Sequence, residues 1–362
     1  MSSAVVRLVV VIGLAWPAAA GCARAARSDS FDVKHELTIS VPEGAREVRI
    51  WFAMPQADPA QSITGFRVEA PWAHRIVRDS EGNDVLYVEA REPKEREIVV
   101  RETFRLTRSE VRPAAKPGSS RFPTETEQRE LARYLEPDEH VVVDDRIRAL
   151  SKEIVGDARD PIEAARRIYD WVLENVDYWV KDPAAKKASA VGSTTYCLET
   201  RTGNCTDFHS LFASLSRAAG VPTRIVYGSL MKPDLDGGDA DLSYHCWIEF
   251  DAPGVGWVPL DVAVADIYAG DFDTDEKNET LVRRTTADGY RGPQPEKVEF
   301  YFGGLDSRRV TLSSGRDISL PPDPAAGPVN ALPKAHVVAD GRPLAENAGW
   351  KRRLTYRTAA KN

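Results

Sequence analysis

The stretch Gly203-Asn204-Cys205-Thr206-Asp207-Phe208-His209-Ser210-Leu211-Phe212, continuing to Ala218-Ala219-Gly220-Val221-Pro222, decides how this chain is read. Phe208, Leu211, Phe212, Leu215 and Ala218 recur at helical spacing, Gly220 is a natural stop, and Pro222 cannot continue the helix. The spacing predicts a helix over Thr206 to Ala219, with Asn204 or Thr206 as its cap and Cys205 at its start. The unpaired amides and positive dipole end of a helix stabilise a thiolate, which is the nucleophilic form of cysteine.

Downstream, Tyr244-His245-Cys246-Trp247 and Gly256-Trp257-Val258-Pro259-Leu260-Asp261 read as strands. Alternation puts His245, Trp247 and Glu249 on one face and Cys246, Ile248 and Phe250 on the other. Cys246 is therefore expected to point away from the histidine, into the core. Only Pro253 to Val255 separate the two strands, so an antiparallel hairpin would set Asp261 beside His245 and let it fix the tautomer of the ring. A thiol, an imidazole and a carboxylate in this order can form a nucleophilic catalyst. His209 is a rival base, one helical turn after Cys205 on the same face. The expectation is that His209 packs beneath the site, with Asp207 and Trp247 as further supporting residues.

Metal readings fare worse. Cys197, Cys205, His209 and His245 could ligate zinc, but their spacing fits no compact zinc motif and leaves Asp261 without a task. The acidic run Asp234-Leu235-Asp236-Gly237-Gly238-Asp239-Ala240-Asp241 fails the EF-hand pattern at Gly238 and at His245, so a solvated loop is expected there. Neither metal nor cofactor is expected.

The 362 residues suggest two or three domains, and 42% hydrophobic with 28% charged residues suits a globular chain with a real core. A net charge of -7 provides no basic footprint for nucleic acid. Arg7 precedes an apolar run from Leu8 to Ala15 that is too short to span a bilayer, followed by Ala18, Ala19, Ala20, Gly21 and Cys22. This resembles a bacterial lipoprotein signal, with Cys22 lipidated and residues 1–22 as the signal segment; cleavage leaving an unmodified Cys22 and a retained apolar arm are the alternatives. The chain is then exported, periplasmic or on the outer surface, with membrane attachment through Cys22. Of four cysteines, Cys197, Cys205 and Cys246 would remain, an odd number that suggests a free thiol.

Residues 31–110 carry strand-like runs (Val33 to Val41, Glu47 to Phe52, Val85 to Ala90, Ile98 to Leu106) and read as an N-terminal β-sandwich. Residues 111–124 are a linker by composition. Helices are expected over Asp144 to Val155 and from Asp160-Pro161-Ile162-Glu163, which has an N-cap, a first-position proline and a glutamate. Strands return at Thr223 to Leu230. These elements and the motif residues define a unit over 125–290. Residues 291–362 form a C-terminal β extension, with strands at Val298 to Phe302 and Arg309 to Leu312 and a hairpin at Asp340-Gly341.

The three motifs together resemble the transglutaminase-like superfamily. Cys205 to Phe212 with Ala218 to Arg224 matches the cysteine motif, His245-Cys246-Trp247-Ile248-Glu249 the histidine motif, and Gly256 to Asp261 the aspartate motif. The resemblance implies an α+β, papain-like core in which a cysteine-bearing helix packs on an antiparallel sheet. It implies Cys205 as nucleophile, His245 as base and Asp261 as its orienter. The implied substrate is a peptide or protein amide, resolved by water or by an amine acceptor through an acyl-thioester. Candidate oxyanion donors are the Cys205 backbone amide and the side chains of Trp179, Tyr178 and Tyr196. The Cys197 thiol could pair reversibly with Cys205. The rival reading is a non-catalytic envelope binding or scaffold protein that keeps the fold.

Overall fold

The computed structural model describes residues 26–360 apart from 273, 275–277, 287, 288 and 326. Cys22 and the leader-like segment lie outside the described residues. The chain begins with six strands: β1 (Ser28–Ser40), β2 (Glu47–Ala53), β3 (Gln61–Glu69), β4 (His74–Arg78), β5 (Asp84–Arg91) and β6 (Glu97–Ser109). Period-two burial along β1 turns Phe31, Val33, His35, Leu37 and Ile39 inward, and β6 answers with Ile98, Val100, Glu102, Phe104 and Leu106. His35 and Glu102 meet in this interior at 3.0 Å. Burial pushes the histidine well below and the carboxyl well above its ordinary range, so each is driven toward its neutral form.

The middle of the chain holds α1 (Glu125–Glu130), α2 (Asp145–Val155), α3 (Pro161–Asn175), β7 (Asp177–Tyr178), α4 (Thr194–Thr200), β8 (Thr202–Gly203), α5 (Cys205–Ala218), β9 (Thr223–Leu230), β10 (Tyr244–Ala252), β11 (Gly256–Leu260), α6 (Val262–Ala269), α7 (Glu279–Thr285), α8 (Pro295–Phe300) and β12 (Arg309–Ser314). Asp160 caps α3 by accepting from the amides of Ile162 and Glu163, with Pro161 at the first position. The expected amphipathic helix is α5, but it is buried on nearly every side, against α2, α3, α4, α6 and the sheet. Small residues at Ala213, Ser210, Ser214 and Ser216 permit that approach. Its four large apolar side chains, Phe208, Leu211, Phe212 and Leu215, are fully buried, each contributing about 1.5–3 kcal/mol of transfer free energy.

The chain ends in β13 (Ala335–Ala339), β14 (Arg342–Pro343) and β15 (Trp350–Thr358). The expected hairpin at Asp340-Gly341 is the β13–β14 pair. Two sheets, in the orders β15-β1-β6-β3 and β14-β13-β2-β5-β4, enclose a common core containing Leu37, Ile50, Phe52, Val88 and Val100. The third sheet, β11-β10-β9-β12, is antiparallel and carries α5.

Three expectations need correction. Val298 to Phe302 was read as a strand, yet α8 occupies most of it, because Pro295 at the first helical position presets the helical φ. The strand at Arg309 to Leu312 does not belong to a separate C-terminal extension; as β12 it pairs with β9 and completes the sheet under α5. The acidic loop is not simply solvated: Asp236 accepts from the Thr358 amide, and Asp241 pairs with Lys334 at 2.9 Å and with Arg352. The loop thereby ties the β9–β10 connection to β13 and β15. Among the described residues no helix is long and apolar enough to cross a membrane.

Candidate active site

Cys205 is the first residue of α5, and the geometry ahead of it explains the motif. Asn204 is the cap, its Oδ1 accepting from the amides of Thr206 (2.9 Å) and Asp207 (3.1 Å). Asp207 reaches back to the Asn204 amide at 2.9 Å, closing a reciprocal capping box. Its carboxylate also accepts from the amides of Ser189 and Ser193 and from the Ser189 hydroxyl, so it anchors the 189–193 loop to the helix start. A Cβ at position 203 would stand 2.3 Å from the Asp207 Cβ, which is why glycine precedes the cap.

His245 lies near the start of β10, and β11 runs antiparallel to β10 with Ile248 opposite Leu260. Asp261 follows directly, so the hairpin sets it next to His245: Nε2 lies 2.8 Å from Oδ2. Asp261 also caps α6 through the Val264 amide at 3.0 Å. The carboxylate is fully buried, and the buried Arg309 donates to its Oδ2 at 2.6 Å. Arg309 in turn packs against the ring of Trp247, 5.4 Å from its centroid.

The electrostatics are those of an ion pair. A hydrogen bond from Cys246, and the charge of His245 working against burial, hold the Cys205 thiol well below its usual range. Burial opposes charge on His245, but Asp261 and the Cys205 sulfur outweigh it and lift the imidazole to about 9. Burial likewise opposes the Asp261 charge, yet His245 and Arg309 hold this carboxyl low. Nδ1 of His245 meets no partner in good hydrogen-bond geometry among the described residues. The imidazole and the Cys205 sulfur nonetheless shift each other's charge state.

Of the oxyanion candidates, one side chain reaches Cys205. The parallel pair β7–β8 sets Tyr178 opposite Gly203, and the Cys205 amide donates to the Tyr178 hydroxyl at 3.1 Å. The Tyr178 amide is held at 2.8 Å by Asp266, which also pairs with Lys181. Burial and the neighbouring thiols push the Tyr178 hydroxyl well above its usual range, so it stays protonated. Trp179 and Tyr196 are half-buried and make no side-chain hydrogen bond here among the described residues.

His209 is fully buried beneath the site, as expected, with Nδ1 3.3 Å from Cys246 Sγ and Nε2 3.6 Å from Asp261 Oδ1. Burial lowers its pKa to about 4. Cys246 corrects the alternation argument. It lies in the core, as expected, but does not point away from the site: it donates to Thr206 Oγ1 at 3.6 Å and acts on the charge state of Cys205. Cys205 occupies the first turn of α5 over the start of β10, where side chains from both faces of the strand reach it. The thiol acting most strongly on Cys205 is thus Cys246, while Cys197 is a buried free thiol on α4. Sequence reasoning also missed Arg309, Thr206 and Tyr244. Arg309 stood in an anticipated strand, but nothing in the sequence named its partner.

Beside the helix start, a cleft of about 360 Å³ is lined by Asn204, Thr206 and Tyr244 on one wall and by Lys334, Glu346 and Trp350 on the other. A larger cavity of about 750 Å³ lies on the outer face of the β15-β1-β6-β3 sheet, bordered by Asp32, Arg67, Arg105 and Arg353; none of the thiols or imidazoles above lines it. Among the described residues no group of three or more His, Cys, Asp or Glu is arranged to hold a metal ion.

Residues 148–262 match the family model of the transglutaminase-like superfamily. An uncharacterized protein of Haemophilus influenzae is 22% identical over 350 residues, covering 87% of either chain. A protein-glutamine gamma-glutamyltransferase of Pseudomonas aeruginosa is 28% identical over 127 residues, 32% of this chain and 18% of that enzyme. A solved structure of a candidate cysteine protease from Cytophaga hutchinsonii superimposes with a TM-score of 0.57 at 15% identity, covering 93% of this chain and 92% of that one. At that identity the likeness carries the fold alone. Motifs, topology and these relatives agree that residues 148–262 form a transglutaminase-like domain.

Proposed function

We propose that this chain is a thiol enzyme acting on amide bonds of peptides or proteins, with Cys205 as nucleophile, His245 as proton carrier and Asp261 as the carboxylate that orients it. The observation that carries the reading is the 2.8 Å His245–Asp261 bond, together with a cysteine at a helix N-terminus whose charge state that histidine shifts. In this scheme the thiolate attacks the amide carbonyl, the C–N bond breaks, and His245 Nδ1 protonates the departing nitrogen. Water or an amine, deprotonated by the now neutral His245, then attacks the thioester, the C–S bond breaks, and the Cys205 thiolate and His245 imidazolium are restored. The Cys205 amide and the Tyr178 hydroxyl are suitably placed to receive the tetrahedral oxygen once Tyr178 gives up its present bond.

The deciding experiment is mass spectrometry of a peptide library incubated with wild type and with Cys205→Ala. Cleavage, deamidation or cross-linking that needs Cys205 supports the reading; identical products from both proteins sink it.

The binding or scaffold reading has one observation in its favour: Cys205 is only 4% exposed, and Tyr178 occupies its amide. An activity-based thiol probe separates the two, since a folded preparation that never labels at Cys205 favours the binder. We further propose export with lipid attachment at Cys22, on the strength of Arg7, the apolar run after it and the small residues before the cysteine. Radiolabelled palmitate and cell fractionation test this: wild type should label and sediment with membranes, and Cys22→Ala should do neither.

A further inference from the structure

Asp261 serves two imidazoles, and each imidazole faces a different cysteine. His245 meets Oδ2 at 2.8 Å and approaches Cys205; His209 meets Oδ1 at 3.6 Å and holds Cys246 Sγ at 3.3 Å from its Nδ1. The rings lie 6.2 Å apart at their centroids. Amide chemistry uses only the first of these lines. The second ends in a free, fully buried thiol that the mechanism leaves idle.

The two sulfurs share one neighbourhood. Thr206 Oγ1 lies 3.9 Å from Cys205 Sγ and 3.6 Å from Cys246 Sγ, and each thiol shifts the charge state of the other. A strand position under a helix is filled equally well by alanine or valine. A thiol there, with its own imidazole and sharing the Thr206 hydroxyl with a second sulfur, brings a chemistry that those residues lack.

We propose that Cys246 is the resolving thiol for Cys205, and that the pair is the site where oxidation by a peroxide is captured as a reversible disulfide. The inference rests on the reading of Cys205 as the reactive thiolate. The Cys205 sulfur attacks one peroxide oxygen, the O–O bond breaks, and the other oxygen leaves and is protonated to water, giving a sulfenic acid. Cys246 then attacks the Cys205 sulfur while its proton passes to His209 Nδ1. His209 Nδ1, 3.3 Å from the Cys246 sulfur and neutral near pH 7, is the acceptor nearest that proton. The S–O bond breaks and hydroxide departs as water with the proton from His209. Two thiols and one peroxide thus yield one disulfide and two waters. Capture spares Cys205 from the sulfinic acid, which thiols do not reduce.

The test uses the full chain, treated with hydrogen peroxide, digested without reduction and mapped by mass spectrometry. The expected result is a Cys205–Cys246 linked peptide, loss of Cys205 labelling by iodoacetamide, and recovery of labelling after dithiothreitol. Cys246→Ala, or Cys246→Ser should alanine not fold, is expected to carry sulfinic acid at Cys205 that dithiothreitol does not reverse. Wild type that proceeds to sulfinic acid without the linked peptide, or that joins Cys205 to Cys197, overturns the proposal. Labelling before peroxide checks the thiolate separately: strong labelling with no later disulfide overturns this inference and leaves the amide chemistry standing.

Discussion

The hydroxyl of Tyr178 lies 3.1 Å from the backbone amide of Cys205 and accepts its hydrogen bond. A tetrahedral oxygen formed on attack by Cys205 needs that same N–H, so tyrosine and oxyanion compete for one donor. Because Tyr178 remains protonated, a small displacement turns its hydroxyl from acceptor of the amide to donor toward the oxyanion.

Tyr178→Phe is therefore expected to slow acylation by roughly 10²-fold, the usual loss for one oxyanion donor. Labelling of Cys205 by iodoacetamide, which develops no oxyanion, should persist. Single-turnover kinetics set beside alkylation rates measure both. A Phe variant that acylates faster than wild type would show that the hydroxyl is only an obstruction.

Cys205 should alkylate as a thiolate at a pH well below that needed by an ordinary thiol, ahead of Cys197 and Cys246, because Cys246 and His245 hold its pKa down. An ordinary thiol gains reactivity around pH 8.5. His245→Ala should abolish the preference, and His209→Ala should largely keep it. The folded-state pKa of His245, about 9, exceeds the ordinary value. Its contribution to stability is thus complete below about pH 6.5 and disappears as pH rises through the folded value. Acylation should lose its proton donor over that same upper range. A pH series of alkylation and turnover checks both limbs; a Cys205 profile indistinguishable from that of free cysteine refutes the ion pair.

Arg309→Met removes the buried cation 2.6 Å from Asp261 and leaves that carboxylate undercompensated. The expected cost is about 3–5 kcal/mol, the usual penalty for breaking a buried pair from one side. Urea denaturation measures it. Since Arg309 fixes the acid that fixes His245, the preferential labelling of Cys205 should weaken as well. A variant as stable as wild type would mean that His245 alone suffices for Asp261.

Gly228 pairs with His245 across β9–β10, and a Cβ there would stand 1.8 Å from the carbonyl oxygen of Val310. Gly228→Ala must push β12 away, and Arg309 with it. A loss of about 1–3 kcal/mol is expected from overpacking, together with reduced Cys205 labelling. Unchanged melting and unchanged labelling would contradict this packing.

The amino-acid sequence by itself determined the local devices. It placed α5 and its cap to within a residue, because apolar spacing, Asn204, Gly220 and Pro222 are all local signals. It paired His245 with Asp261, because a short connection between two strand-like runs leaves one hairpin to form. Tertiary structure alone decided what depends on distant chain segments. It brought β12 under α5 and Arg309 onto Asp261, 48 residues away in sequence. It set the Tyr178 hydroxyl on the Cys205 amide, and it completed the N-terminal sheets with β13 and β15. Alternation along a strand predicts faces, not what converges at a strand's end, and so Cys246 was assigned to the core. The helix crossing that end turned it into a neighbour of the nucleophile. Pairing of remote edges and the crossing of helix over sheet are set by the sum of many burial and hydrogen-bond terms, which no short window of residues contains.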